Sequence, residues 1–179
     1  MAVKADAPAV TGVVMFCDIA GFTEFTHSEG DAAALALLDQ FETIVRTALP
    51  SNARLVKSLG DGVLIFVDGP DAAVRCALEQ QQRFADATTA ESPLWVRIGA
   101  HFGSPLVRGD DLVGHDVNLT SRVAAQAFPG EIVVTDALVA VIDASAFSIA
   151  EIGPVFVKGV DDALRLFRVD GHAQYRAAP

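Results

Sequence analysis

Basic residues are scarce and scattered in this chain. Against 23 Asp and Glu it carries 13 Lys and Arg in 179 residues, a formal net charge of −10. No basic run forms, which counts against nucleic acid as a partner, because its phosphates demand clustered cations. An anionic ligand must then be held by metal and a few placed cations. Cysteine is nearly absent: Cys17 and Cys76 fall in an apparent strand and an apparent helix, with neither metal spacing nor a disulfide framework. That usage points to a reducing, cytoplasmic compartment and to two inert buried thiols. The histidines, His27, His101, His115 and His172, lack ligand spacing, so no zinc site is read. Long apolar runs are missing too, none approaching the roughly 18 residues of a membrane span. The opening MAVKADAPAVTG is too polar for a signal peptide, and no membrane insertion by this chain is expected. Repeats and low-complexity tracts do not occur. What is plentiful is core: 51% of the residues are hydrophobic, enough at this length for one domain. That domain is expected over residues 12–170, with tails at 1–11 and 171–179.

One stretch organises the rest. Val13 to Thr23 reads VVMFCDIAGFT, an apolar run that ends in a single carboxylate, Asp18, and then a glycine turn. Such a run reads as a buried strand, placing Asp18 at the C-terminal lip of a sheet. Burying a carboxylate there costs several kcal/mol unless something positive pairs with it. The residues that follow, Ile19 to Thr23, supply a tight turn opening a helix, whose backbone N–H groups can cradle phosphate. An acid at a strand end is also a common turn former, so a second acid is required.

Downstream, Ala34, Leu37, Leu38, Phe41, Ile44, Val45 and Ala48 recur at helical spacing, with Ser28 or Asp31 as the cap and Pro50 as the stop. Two β-rich runs, 54–59 and 63–67, flank Gly60-Asp61-Gly62, a strong hairpin signal. Here is the second acid. Carboxylates at adjacent strand ends can hold two divalent ions roughly 3.5 to 4 Å apart for in-line phosphoryl chemistry. Lys57 interrupts the apolar pattern just before the turn. Pro70 opens the next helix, with Val74, Ala77, Leu78, Gln81, Phe84 and Ala85 on its inner face. The run 94–102 alternates, leaving Trp95, Arg97, Gly99 and His101 on the face opposite Val96, Ile98, Ala100 and Phe102. Arg97 is thus a candidate cation. A loop or short hairpin over 103–114 leads to a helix capped by Asp116, where Asn118 and Arg122 share a face. Residues 131–134 read as a strand, 135–142 as a short helix after a Thr135 cap, and 164–169 as the closing strand. The order predicts an α+β fold, a ferredoxin-like βαββαβ core with additional C-terminal α/β elements.

Taken in order, FCDIAGFT, VKSLGDG, VRIGAHFG, DLVGHDVNLTSR and VKGV resemble the catalytic domain of the class III nucleotidyl cyclases. The resemblance implies that Asp18 and Asp61 bind two Mg2+ or Mn2+ per active site, with the Ile19 carbonyl helping, and that the backbone of Ala20, Gly21, Phe22 and Thr23 holds the triphosphate. It further implies that Lys57 and Asp111 read the purine, Asn118 orients the ribose, Arg122 stabilises the transition state, and Arg97 and Lys158 bind the triphosphate. A homodimer with shared sites is implied, and sensor or regulatory domains of a longer chain would lie outside this one. Adenine offers an N6 donor beside an N1 acceptor, matching the Asp111 carboxylate and the Lys57 ammonium. Guanine reverses both edges, each mismatch costing roughly 1 to 3 kcal/mol. The expectation is therefore an adenylyl cyclase acting on ATP, with a guanylyl cyclase or a catalytically silent nucleotide-binding or regulatory module as alternatives.

Overall fold

A computed structural model describes residues 7–157 and 162–170. The first strand, β1 (Gly12–Ile19), is followed by α1 (Phe22–Glu29) and α2 (Asp31–Ala48), then the hairpin β2 (Ala53–Ser58) and β3 (Gly62–Val67), α3 (Pro70–Ala87) and β4 (Val96–Gly103). The hydrogen-bonded order of these strands is β2-β3-β1-β4, with every neighbour antiparallel. That is the expected βαββαβ core. Beyond it come the small hairpin β5 (Leu106–Arg108) and β6 (Asp111–Val113), α4 (His115–Ala124), β7 (Ile132–Thr135), α5 (Asp136–Val139), β8 (Ser148–Val155) and β9 (Leu164–Asp170). The additions extend the sheet past β4 as β7-β9-β8, with β7 parallel to β4. Ahead of β1, Val10 N–H donates to Pro105 O and Val107 N–H to Pro8 O, tying residues before the first strand to β5.

The two faces of the sheet are covered differently, and alternation along β1 decides which side chain goes where. Val13, Met15, Cys17 and Ile19 point into the larger core with Leu37, Phe41 and Val45 of α2 and Val74, Ala77 and Phe84 of α3. There the Phe41 and Phe84 rings stack with centroids 5.4 Å apart. Both thiols are buried: Cys17 Sγ donates to Gln80 Oε1 at 3.3 Å, and burial pushes the Cys76 thiol up to about 12. On the other face Val14, Leu64 and Phe66 meet Leu112 and Val117, while Leu119 and Val123 of α4 pack on Val133 and Leu166. Asp18 belongs to this second face, under α4.

Several expected helix ends fall elsewhere. Neither Ser28 nor Asp31 caps α2: Ser28 lies inside α1 with its hydroxyl on Phe25 O, and the chain breaks at Gly30, whose φ of 84° only glycine adopts cheaply. Asp116 is not the cap of α4, which starts after Gly114; its carboxylate accepts from Ser104 N–H instead. That helix ends at Ala124. Thr135 precedes α5 without a side-chain cap, because its hydroxyl is taken by His101.

Gly99 sets how closely α4 approaches the sheet. A Cβ there would lie 2.3 Å from Ala124 N and 2.5 Å from Ala124 Cα, backbone that cannot swing aside. Gly99→Ala should therefore push α4 outward and cost about 1 to 3 kcal/mol, read as a lowered urea midpoint. An unchanged midpoint would contradict this packing.

Candidate active site

Strand register brings the two acids together. Asp18 sits opposite Gly62 on β3 and opposite Arg97 on β4, and Ile19 N–H donates to Asp61 O at 2.9 Å. Asp18 and Asp61 line one cleft of about 220 Å³ with Phe16, Leu59, Arg97 and, from α4, Ser121, Ala124 and Ala125. Arg97 Nη2 bonds the Asp18 carboxylate directly, whereas Arg97 Nε is buried with no partner among the described residues. Burial pushes the Asp18 carboxyl above its ordinary range, the Arg97 hydrogen bond and charge pull it back, and the charge of Asp61 pushes it up again. Among the described residues the cleft thus holds two carboxylates against one arginine.

A divalent cation fits this donor set. Carboxylate oxygens suit hard ions such as Mg2+ and Mn2+, and a partly dehydrated acid raised by a second acid is relieved by positive charge between them. Among the described residues no cluster of three or more His, Cys, Asp or Glu forms a complete protein cage. Magnesium sites built with substrate phosphates need only one or two carboxylates.

The turn after β1 was expected to present four backbone donors. Three remain, because Ala20 N–H is committed to Trp95 O at 2.7 Å. Gly21, at φ 73°, opens α1 in the left-handed region, and among the described residues its N–H and those of Phe22 and Thr23 have no backbone acceptor at this helix start.

A second group of candidates lies outside the cleft lining. A β-bulge between Leu55 and Lys57 resets the register of β2, so that Lys57 rather than Val56 stands opposite Leu64 on the α4 side of the sheet. Its ammonium reaches both oxygens of Asp111, on β6, at 2.8 Å, and Asp111 Oδ1 also accepts from Leu112 N–H at 2.7 Å. The Lys57 hydrogen bond above all holds the Asp111 carboxyl below its ordinary range. Asn118 is exposed and Arg122 half-buried on α4, and among the described residues neither side chain has a hydrogen-bond or ion-pair partner. Lys158 lies outside the described residues. Sequence reasoning passed over Arg54, whose Nη1 donates to Asp110 O at 3.0 Å and so holds the turn that carries Asp111. Its only signal was a second cation on the strand of Lys57.

Comparison with known proteins follows the same outline. The model of the adenylate and guanylate cyclase catalytic domain matches residues 5–171. An uncharacterized protein of Mycobacterium tuberculosis is 31% identical over 172 residues, covering 95% of this chain and 44% of that protein. An adenylate cyclase of Streptomyces coelicolor is 35% identical over 125 residues, 69% of this chain and 32% of that one. The chain thus spans less than half the length of these curated relatives. In fold it is similar to a structure of an adenylate cyclase from Trypanosoma brucei in its monomeric state, with a TM-score of 0.80 at 22% identity over 94% of this chain and 91% of that one.

The charge balance of the cleft makes a direct prediction. The folded Asp18 carboxyl titrates above its unfolded value, so ionising it costs stability: the penalty is absent below the unfolded value near pH 3.9 and complete once pH exceeds the folded value. Asp61→Asn removes one cause of that rise. Carboxyl NMR should show the Asp18 midpoint moving down in this variant, with higher thermal stability at neutral pH in metal-free buffer. An unmoved midpoint would mean the two acids do not interact.

Proposed function

The chain belongs to the adenylate and guanylate cyclase catalytic-domain family, and on that premise we propose that it converts ATP to 3′,5′-cyclic AMP and pyrophosphate at sites shared between two copies of itself. The observation that carries this reading is the division of the candidates into two places on one chain. Asp18, Asp61 and Arg97 line the cleft, while Lys57, Asp111, Asn118 and Arg122 do not. At about 220 Å³ the cleft falls short of the roughly 300 to 1,000 Å³ usual for small-molecule sites. It suits ions and phosphates, and the base and sugar need a second surface, which a partner copy carries.

Asp18 and Asp61 would hold two Mg2+ or Mn2+, with the Ile19 carbonyl contributing. When bound, these ions supply the charge that makes the ribose 3′-hydroxyl a nucleophile and neutralises the departing pyrophosphate. The free N–H groups of Gly21, Phe22 and Thr23 receive phosphate oxygens at the start of α1. Arg97 has a spare buried donor for the triphosphate, and Lys158 adds a cation. From the partner, the unpaired guanidinium of Arg122 meets charge that builds during displacement, and Asn118 fixes the sugar so that the hydroxyl lies in line. The Lys57–Asp111 pair keeps ammonium protons and carboxylate lone pairs to spare. Those match the N1 acceptor and N6 donor of adenine.

Incubation with Mn2+ and either ATP or GTP separates the alternatives. Cyclic AMP is expected in excess over cyclic GMP, and Asp61→Ala should lower it by more than about a hundredfold. Excess cyclic GMP would overturn the base assignment, and no product above the Asp61→Ala background would overturn the enzyme reading in favour of a silent module. The shared site has its own test. Asp18→Ala and Arg122→Ala chains, each inactive, should regain activity when mixed, since one composite site then has both groups intact. A mixture that stays inactive while both variants remain folded and dimeric would rule out sharing.

A further inference from the structure

A buried polar cluster with no part in the chemistry above lies beneath the start of α4. The His101 side chain of β4 is 8% exposed as a residue. Its Nδ1 lies 2.9 Å from Thr135 Oγ1, at the end of β7, and its Nε2 lies 3.6 Å from Asp116 Oδ1. Asp116, in the first turn of α4, accepts Ser104 N–H on its other oxygen at 2.6 Å, and its carbonyl accepts the Thr120 hydroxyl at 2.6 Å. Gly103 leaves the room for this: a Cβ there would stand 2.4 Å from Asp116 Oδ2. Otherwise α4 meets the sheet through Val117, Leu119 and Val123, and apolar packing is non-directional. Among the described residues, Asp116 makes the polar side-chain contacts between α4 and the sheet. Gly99 sets the height of α4 through Ala124, and directional contacts of this kind fix its rotation.

We propose that His101 and Asp116 are positioning residues: their contact seats α4, and so places Asn118 and Arg122, and protonation of His101 changes that seat. Only the activity readout rests on the cyclase reading. The ring is neutral at neutral pH, because burial holds its pKa below the ordinary range; Asp116 opposes this through its charge and hydrogen bond, His115 adds to it, and Asp136 opposes it. A neutral ring carries one N–H, on Nδ1 toward Thr135 or on Nε2 toward Asp116. Once charged, it carries protons on both nitrogens. Thr135 Oγ1 must then accept, and Asp116 is drawn to the imidazolium in competition with Ser104 N–H. Because the folded value lies below the unfolded one of about 6.5, the neutral seat is fully stable above that pH and is lost as pH falls through the folded value.

Amide NMR of the full chain between about pH 5 and 8 tests this without any nucleotide. The Asn118 and Arg122 amides should shift with the same midpoint as the His101 ring, and His101→Gln should abolish that shared titration. In turnover, His101→Gln should flatten the acid side of the kcat profile. Asp116→Ala should lower kcat about tenfold or more with KM for ATP moved less than about threefold, and Asp116→Asn, which keeps an acceptor for Ser104 N–H, should recover part of the loss. Amides on α4 that ignore the His101 titration, or an acid limb unchanged in His101→Gln, would overturn the proposal. If His101→Gln does not fold, Thr135→Val must still shift the shared midpoint, and an unshifted midpoint overturns it equally. Wild-type protein that makes no cyclic nucleotide would overturn the function proposed above and leave the amide titration to decide this one.

Discussion

Two acidic side chains meet at one edge of one sheet, and among the described residues Arg97 alone stands in their cleft to offset the charge. Register imposes it. Asp18 faces Gly62, the residue after Asp61, and a backbone hydrogen bond from Ile19 to Asp61 locks the hairpin turn to the end of β1. Gly62 permits the approach, since a Cβ there would lie 2.9 Å from Cys17 O and 3.1 Å from Asp18 Cβ. Arg97, the cross-strand neighbour on the other side, compensates in part. A sheet edge of this kind is costly as folded protein and useful as a cation site. The apolar core beneath it, from Val13 to Phe84, holds β1, β3 and β4 rigid enough to sustain the cost.

Much of this was legible because periodicity and turn chemistry are local. The buried run of β1, the Asp-Gly hairpin, the proline start of α3 and the alternation of β4 all carry their signals within a few residues, and together they dictate the βαββαβ order. Asp18, Asp61 and Arg97 stood out on residue pattern alone, and the family resemblance supplied the roles of the candidates. Features hidden from the sequence are those that depend on distant partners. Asp116 and Thr135 look like helix caps, but Ser104 and His101 claim them first. Arg97 stood out only as a cation on one face of β4, and its pairing with Asp18 depends on β1 lying beside it. The bulge that puts Lys57 opposite Leu64 leaves no mark in the residue pattern, and Lys57 meets Asp111 only because β6 folds back over β2.

The face under α4 differs in kind from the face packed on α2 and α3. One side of the sheet is packed with aliphatic and aromatic side chains, whereas the other holds Asp18, Arg97 and His101 in a row of alternate β4 and β1 positions, roofed by one helix. Gly99 and Gly103 bring that helix close. In the reading proposed here, the same helix carries Asn118 and Arg122 to the neighbouring copy, so its seat on the sheet affects a site to which its own chain gives a different part. Cys17, next to Asp18 in sequence, points to the opposite face and is sealed there against Gln80.

In the proposed function, Asp18 and Asp61 act as one cation-binding unit. Electron paramagnetic resonance of Mn2+ titrated into the protein in the presence of a non-reacting ATP analogue measures this without relying on turnover. Bound Mn2+ should be seen with the wild-type chain and be lost when either Asp18→Asn or Asp61→Asn is introduced. Binding equal to wild type in either variant would mean that the two acids do not form a joint site.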